Sequence, residues 1–294
     1  MTTCAWITHP ECRLHEMGPG HPESPERLDA ISDHLLATGV MQLLVPYDAP
    51  LATREQLQRA HSALHVENIF SMAPTEGYVA IDPDTSMNPH SLPAALRAAG
   101  AAVLATDLVM KKETARAFCA VRPAGHHATR DAAMGFCLFN NVVVGMRHAL
   151  DVHGLERVAL VDFDVHHGNG SEDILAGDDR ALMVSTFEAE LYPFSGETPL
   201  GPNMANVPLS RGATGEALRD AFDYVWKPRL DDFRPQLIFV SAGFDAHRAD
   251  DMANLRWNED DYRWITRRLV ETAERHCEGR IVSCLEGGYH LFHL

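Results

Sequence analysis

Short apolar runs that show no polar alternation constrain this chain more than any other feature. They fall at Ala115–Val121, Arg157–Phe163, Ala181–Thr186, Gln236–Ala242 and Arg280–Leu285. A strand with one wet face alternates polar and apolar residues, whereas a strand covered on both faces does not, and strands of the second kind build parallel sheets. Between the runs lie segments with helical spacing: Ser91–Lys112, Asn140–His153, Thr214–Leu230 and Asn258–Glu278, the last stopped by Gly279. Strand and helix alternate from about residue 92 onwards, which predicts an α/β class with an open, mostly parallel, doubly wound sheet flanked by helices. The first ninety residues are less regular, with HPESPER opening a helix over Glu26–Ala37 and a loop over 73–91. No repeat and no long linker interrupts the 294 residues, so one domain over 1–294 is expected.

Composition narrows the function classes. Hydrophobic residues at 46% and charged residues at 22% exclude disordered, collagen-like and disulfide-scaffold chains. Asp plus Glu is 41 against 25 for Lys plus Arg, a formal net charge of −16. Such a surface repels phosphate backbones, so nucleic acid is not an expected partner, and cationic ligands are favoured. The six cysteines, Cys4, Cys12, Cys119, Cys137, Cys277 and Cys284, form no C-x-x-C pair and are expected to be reduced thiols of a cytoplasmic protein. The N-terminus carries Pro, His and Glu where a signal peptide needs an apolar stretch. No apolar run reads as approaching the ~18 residues of a membrane span, so no membrane partner is expected. The sequence leaves a homo-oligomer open.

Residues capable of chemistry follow the strands directly. RPAGHHA after Val121 brings His126 and His127, DVHHGNG follows Phe163, and Ser185 and Thr186 follow Val184; SAGFDAH and LEGGYHL come after Val240 and Cys284. In an open parallel sheet, ligands bind beyond the carboxyl ends of the strands, so these tips are expected to converge on one site. The period of two in VDFDVHHGNG puts Asp162, Asp164 and His166 on one side and Phe163, Val165 and His167 on the other. Asp164 and His166, nearest the tip, can hold a divalent metal with Asp245 as third ligand and Asp162 behind them. Three protein ligands leave positions for water and substrate, and an Asp2His set suits Zn²⁺ as well as Fe²⁺, Mn²⁺ or Co²⁺. His167 reads as structural and bonded to backbone, Cys137 as packing, and His247 as a loop residue. His9, His61, His65, His148, His153 and His276 read as side chains without partners. Zincin, serine hydrolase, NTPase and Rossmann dehydrogenase patterns are all missing from the sequence.

Taken together, these residues resemble the zinc-dependent histone deacetylase superfamily, which includes acetylpolyamine amidohydrolases and acetoin-utilisation proteins. The resemblance rests on HEMGPGHPESPER (15–27), RPAGHHA (122–128), GFCLFNN (135–141), DFDVHHGNG (162–170), LYPFSG (191–196), SAGFDAHRAD (241–250) and LEGGYHL (285–291), in family order. Asn169 in HHGNG is similar to the class II branch. The resemblance implies an arginase–deacetylase fold with a central sheet of about eight strands, and Zn²⁺ held by Asp164, His166 and Asp245. It implies hydrolysis of Nε-acetyl-lysine or a related acyl-lysine in a peptide or protein. His127 would be general base and acid, His126 backed by Asp162 an electrostatic aid, and Tyr289 the oxyanion donor. Asn169 joins these as a candidate catalytic residue. Gly287 and Gly288 would let the tyrosine segment move. Phe136, Gly135 and Tyr192 would line a substrate channel, with Asp84 at its rim and Arg27 near its floor. Asp162, Ser185 and Thr186 match a K⁺ site. Met252 stands where acetylpolyamine-specific relatives carry Glu, which favours lysine side chains over acetylated polyamines. A weakly active acyl-lysine binding protein is the remaining alternative.

Overall fold

The computed structural model describes residues 4–294. Its main sheet contains β1 (Cys4–Thr8), β2 (Leu44–Asp48), β5 (Arg116–Cys119), β6 (Val158–Asp162), β7 (Ala181–Glu188), β8 (Met204–Leu209), β9 (Leu237–Ala242) and β10 (Ile281–Leu285), while β3 (Val79–Ala80) and β4 (Ser86–Met87) form a small antiparallel pair. The main sheet has eight strands in the order β2-β1-β5-β10-β9-β6-β7-β8, and every neighbouring pair is parallel. The five runs expected from sequence are the contiguous stretch β5-β10-β9-β6-β7. Every residue of β6, β7 and β9 is buried, which is why these runs lack alternation.

The sequence reading missed β1, β2 and β8. Strands β2 (LVPYD) and β8 (MANVPL) are the two sheet edges, where exposure and an internal proline are tolerated and the buried-strand signature is lost. The helices are α1 (Glu26–Ala37), α2 (Arg54–Gln58), α3 (Ala63–Met72), α4 (Ser91–Met110), α5 (Asn141–Asp151), α6 (Asn169–Leu175), α7 (Gly215–Ala221), α8 (Lys227–Phe233) and α9 (Glu259–His276). A π-turn over Phe222–Trp226 joins α7 to α8, so the expected helix appears as one interrupted rod. A reciprocal cap between Asn258 and Asp261 starts α9.

Alternation along the strands feeds two cores. Leu160, Phe239 and Val282 pack with α4 and α5 on one face; Val161, Val240 and Ile281 pack with α7, α8 and α9 on the other. Helix α4 corrects one expectation: its 20 residues include an 18-residue stretch with a mean hydropathy of 1.4, so it is long and apolar enough to cross a membrane. It is apolar almost all round because 67% of that stretch is buried inside the protein. Alanines and Gly145 keep α4 and α5 close, since a Cβ on Gly145 would stand 3.1 Å from that of Ala102.

Candidate active site

Beyond the carboxyl ends of β5, β10, β9 and β6, four segments converge. Asp164, His166 and Asp245 each place one ligand atom within 4.8 Å of the others, and all three are buried. His166 Nδ1 lies 3.1 Å from Asp164 Oδ1 and 3.3 Å from Asp245 Oδ2. The remaining lone pairs are aimed by backbone: Val165 N–H donates to Asp245 Oδ1 at 3.0 Å, and Gly287 N–H to Asp164 Oδ2 at 2.8 Å. Among the described residues Asp245 Oδ2 has no hydrogen-bond partner although it is buried. Burial opposes charge on His166, yet its bond to Asp164 and the Asp245 carboxylate beside it raise it to about 10. Burial and the Asp164 charge raise Asp245 to about 6. A trio that binds a proton this strongly, with an orphaned carboxylate oxygen, has the donor set of a divalent cation site.

His126 and His127 sit beside the trio with ring centroids 4.0 Å apart, and their partners separate their chemistry. His126 Nδ1 meets the Asp162 carboxylate at 3.0 Å. Burial works against charge there, but Asp164 and Asp162 lift His126 well above the usual histidine range. His127 Nδ1 meets only the neutral Asn169 Oδ1, at 2.8 Å. Burial, with His126 and His166, drives His127 well below that range. One imidazole is thus charged and its neighbour neutral, with Nε2 of His127 free to accept a proton.

Tyr289 follows β10. Its backbone N–H donates to Asp250 Oδ2 at 2.6 Å, and the Arg27 guanidinium lies 4.8 Å from its ring centre. Burial, with Asp245 and Asp164 adding to it against Arg27, keeps its hydroxyl protonated as a donor. Arg27 is itself fully engaged: Nε donates to Gly288 O, Nη2 to Glu286 O and Nη1 to Glu23. Gly287 is required for close approach, because a Cβ there would lie 1.9 Å from Asp245 Oδ2.

Phe136 has a left-handed backbone (φ 68°), a strained state for an aromatic residue. That conformation sets its ring 6.1 Å from Tyr289, while Tyr192 stands 5.3 Å from His127 and 6.4 Å from His166. Gly135 leaves room for the His127 ring, 2.5 Å from where its Cβ would be. Asp84 accepts from Thr85 Oγ1, whose oxygen accepts Phe136 N–H; burial, with Asp84 and Asp82 adding to it, raises Tyr192 above ordinary tyrosine. Met252 is half-buried, its N–H on Asp250 Oδ1. Asp162 pairs in register with Ser185, and the hydroxyls of Ser185 and Thr186 are buried without hydrogen-bond partners among the described residues.

A model of the histone deacetylase domain matches residues 21–294. The chain belongs to the histone deacetylase family. A probable deacetylase of Archaeoglobus fulgidus is 37% identical to it over 294 residues, covering 96% of this chain and 80% of that one. A histone deacetylase-like amidohydrolase of Pseudomonas aeruginosa is 38% identical over 277 residues, covering 92% and 73%. The crystal structure of the HDA15 HD domain superposes with a TM-score of 0.92 at 31% identity, covering 100% of this chain and 86% of that one. This histone deacetylase family member is therefore a deacetylase or amidohydrolase by kinship.

Several sequence readings change. His167 Nδ1 bonds a side chain, Ser195 Oγ at 2.9 Å, rather than backbone, and its Nε2 lies 3.0 Å from Glu172. His148 and His153 share Asp107, His276 meets Asp231, His9 pairs with Glu11, and His61 and His65 bond Thr129 O and Leu138 O. His247 lies in a loop as expected, buried and stacked on His293 at 4.5 Å. All six cysteines are free. Glu23, Arg122, Asp250 and Glu286 went unrecognised, although each lies inside a quoted motif. Glu23 pairs with Arg122 at 2.5 Å and Arg27 at 3.0 Å with all three side chains buried; the signal was a Glu–Arg pair four apart in HPESPER.

Proposed function

We propose that residues 1–294 act as one domain that hydrolyses the amide of Nε-acetyl-lysine in a peptide or protein, with Zn²⁺ held by Asp164, His166 and Asp245. The observation that carries this reading is the buried trio lying against two histidines, one charged and one neutral. Bound zinc would polarise the amide carbonyl and acidify a water. His127, its Nδ1 turned to Asn169, takes the water's proton at Nε2 and delivers it to the leaving amine. His126, charged through Asp162, orients the attacking water and stabilises the negative charge that develops on its oxygen. Tyr289 donates its hydroxyl to the carbonyl oxygen as that oxygen gains charge. Phe136 and Tyr192 sheathe the apolar lysine stem, and Asp84 receives the substrate backbone at the rim. Oxygen donors around Asp162 and the unpartnered Ser185 hydroxyl suit K⁺, with Thr186 beside them.

Acetylated polyamines are the second reading, favoured by the net charge of −16 and by Asp82 and Asp84 beside Tyr192. Turnover of zinc-loaded protein on an acetyl-lysine peptide and on acetylspermidine, each beside Tyr289→Phe, tests both. Peptide cleavage abolished by the substitution is the expected result. Cleavage of the polyamine alone replaces the first reading with the second.

A further inference from the structure

The ladder between β5 and β10 ends at the Cys119–Cys284 pair. Past it, the two chains carry His126–His127 and Tyr289 outward without strand bonds between them. The backbone N–H groups of Gly125 and His126 are buried there, and a buried N–H without a partner costs about 1–3 kcal/mol. Glu286 supplies the acceptor. Its Oε2 receives Gly125 N–H at 2.7 Å and His126 N–H at 3.1 Å, and its Oε1 receives the Ser241 hydroxyl of β9 at 3.1 Å.

Glu286 is also held at its own backbone. Its N–H donates to Ala242 O at 3.0 Å, and its carbonyl accepts Arg27 Nη2 at 2.5 Å. One fully buried carboxylate therefore joins the tips of three adjacent strands. No hydrogen-bonding reason within the ladder requires it, because the strands have already ended. The cost of placing a further carboxylate near Asp162 needs an offsetting benefit.

We propose that Glu286 is a positioning residue for the hydrolysis described above, on which this inference rests: it sets the spacing between the His126–His127 pair and Tyr289. Glutamine at 286 preserves this spacing, since its carbonyl accepts both amide protons and its NH2 donates to Ser241 once that hydroxyl turns round. Alanine abolishes it. A misplacement of ~1 Å at reacting groups costs about 100-fold in rate.

The test compares wild type, Glu286→Gln, Glu286→Ala and Ser241→Ala by kcat and KM on acetyl-lysine peptide, zinc content, and amide hydrogen exchange at Gly125 and His126 in metal-free and zinc-loaded protein. Expected for Glu286→Ala is a kcat loss of about 100-fold at near-constant KM and zinc content, with faster exchange at both amides. Glu286→Gln should retain slow exchange and most of kcat. Should Glu286→Ala fail to fold, Ser241→Ala decides, since freeing Oε1 should speed exchange at the same two amides. Wild-type kcat in a folded Glu286→Ala, unchanged exchange in the Ala variants, or a Gln variant as impaired as Ala would each overturn the proposal. A wild type inactive on every acylated substrate sinks the proposed reaction instead, while the exchange measurement still decides the role of Glu286.

Discussion

Replacing Gly287 by alanine tests whether the metal trio is held by steric contact. The new Cβ would stand 1.9 Å from Asp245 Oδ2 and 2.8 Å from Asp164 Oδ2, where ordinary contact begins at 3.4 Å. The Asp245 oxygen must therefore retreat by about 1.5 Å, or the β10 tip must move by as much, whereas metal–ligand distances tolerate only about 0.2 Å. Asp245 is then lost as a ligand. Disturbing even the residues behind a ligand lowers metal affinity by about 10–100-fold, so losing Asp245 should lower zinc affinity by at least about 100-fold. Overpacking should also destabilise the fold by about 1–3 kcal/mol. Competition for zinc against a chromophoric chelator, beside thermal unfolding and kcat, measures all three effects. Wild-type zinc affinity in Gly287→Ala would refute the claim that these carboxylates are pinned against a bare backbone.

Tyr289→Phe should lower kcat by about 100- to 1,000-fold with little change in KM, as for loss of one oxyanion donor; steady-state kinetics checks it. Asn169→Asp puts a carboxylate on His127 Nδ1 and favours the imidazolium, so the acid limb of kcat/KM should move to higher pH, read from a pH–rate profile. Glu23 is buried, which raises it, but Arg122 and its other partners bring it from 4.5 down to about 2. A depressed carboxylate stabilises the fold fully above its unfolded value, so this contribution should fade as pH falls from 4.5 towards 2, and denaturant melts of Glu23→Gln should lack that decline. Arg122→Met leaves Glu23 short of a partner and should cost about 3–5 kcal/mol in chemical unfolding.

What the sequence revealed follows from how many faces of an element are buried. β6 and β9 are buried on both faces, so their apolar runs and the acidic residues at their tips stood out together. The period of two placed Asp162, Asp164 and His166 on one side, and their convergence with Asp245 follows because β6 and β9 are neighbours. Edge strands β2 and β8 left no such mark, since solvent and proline are tolerated there. Glu286 and Arg122 could not be read from spacing, because their partners lie 160 and 99 residues away. Helix α4 misled in the other direction: its alanines dilute the apolar signal by eye, yet its mean hydropathy is that of a membrane span.

The strand order has a consequence for synthesis on the ribosome. Strands β9 and β10 are the last of the sheet to be made, yet they fill its middle, between β5 and β6. A nascent chain can assemble β2-β1-β5 and β6-β7-β8 as separate half-sheets, each with one raw inner edge. His126 and His127 lie on one half and Asp164 and His166 on the other, and only the emergence of residues 237–285 draws them together. Until then the site lacks Asp245 and Tyr289, and a chaperone that shields those inner edges would act at the stage when the chain most needs it.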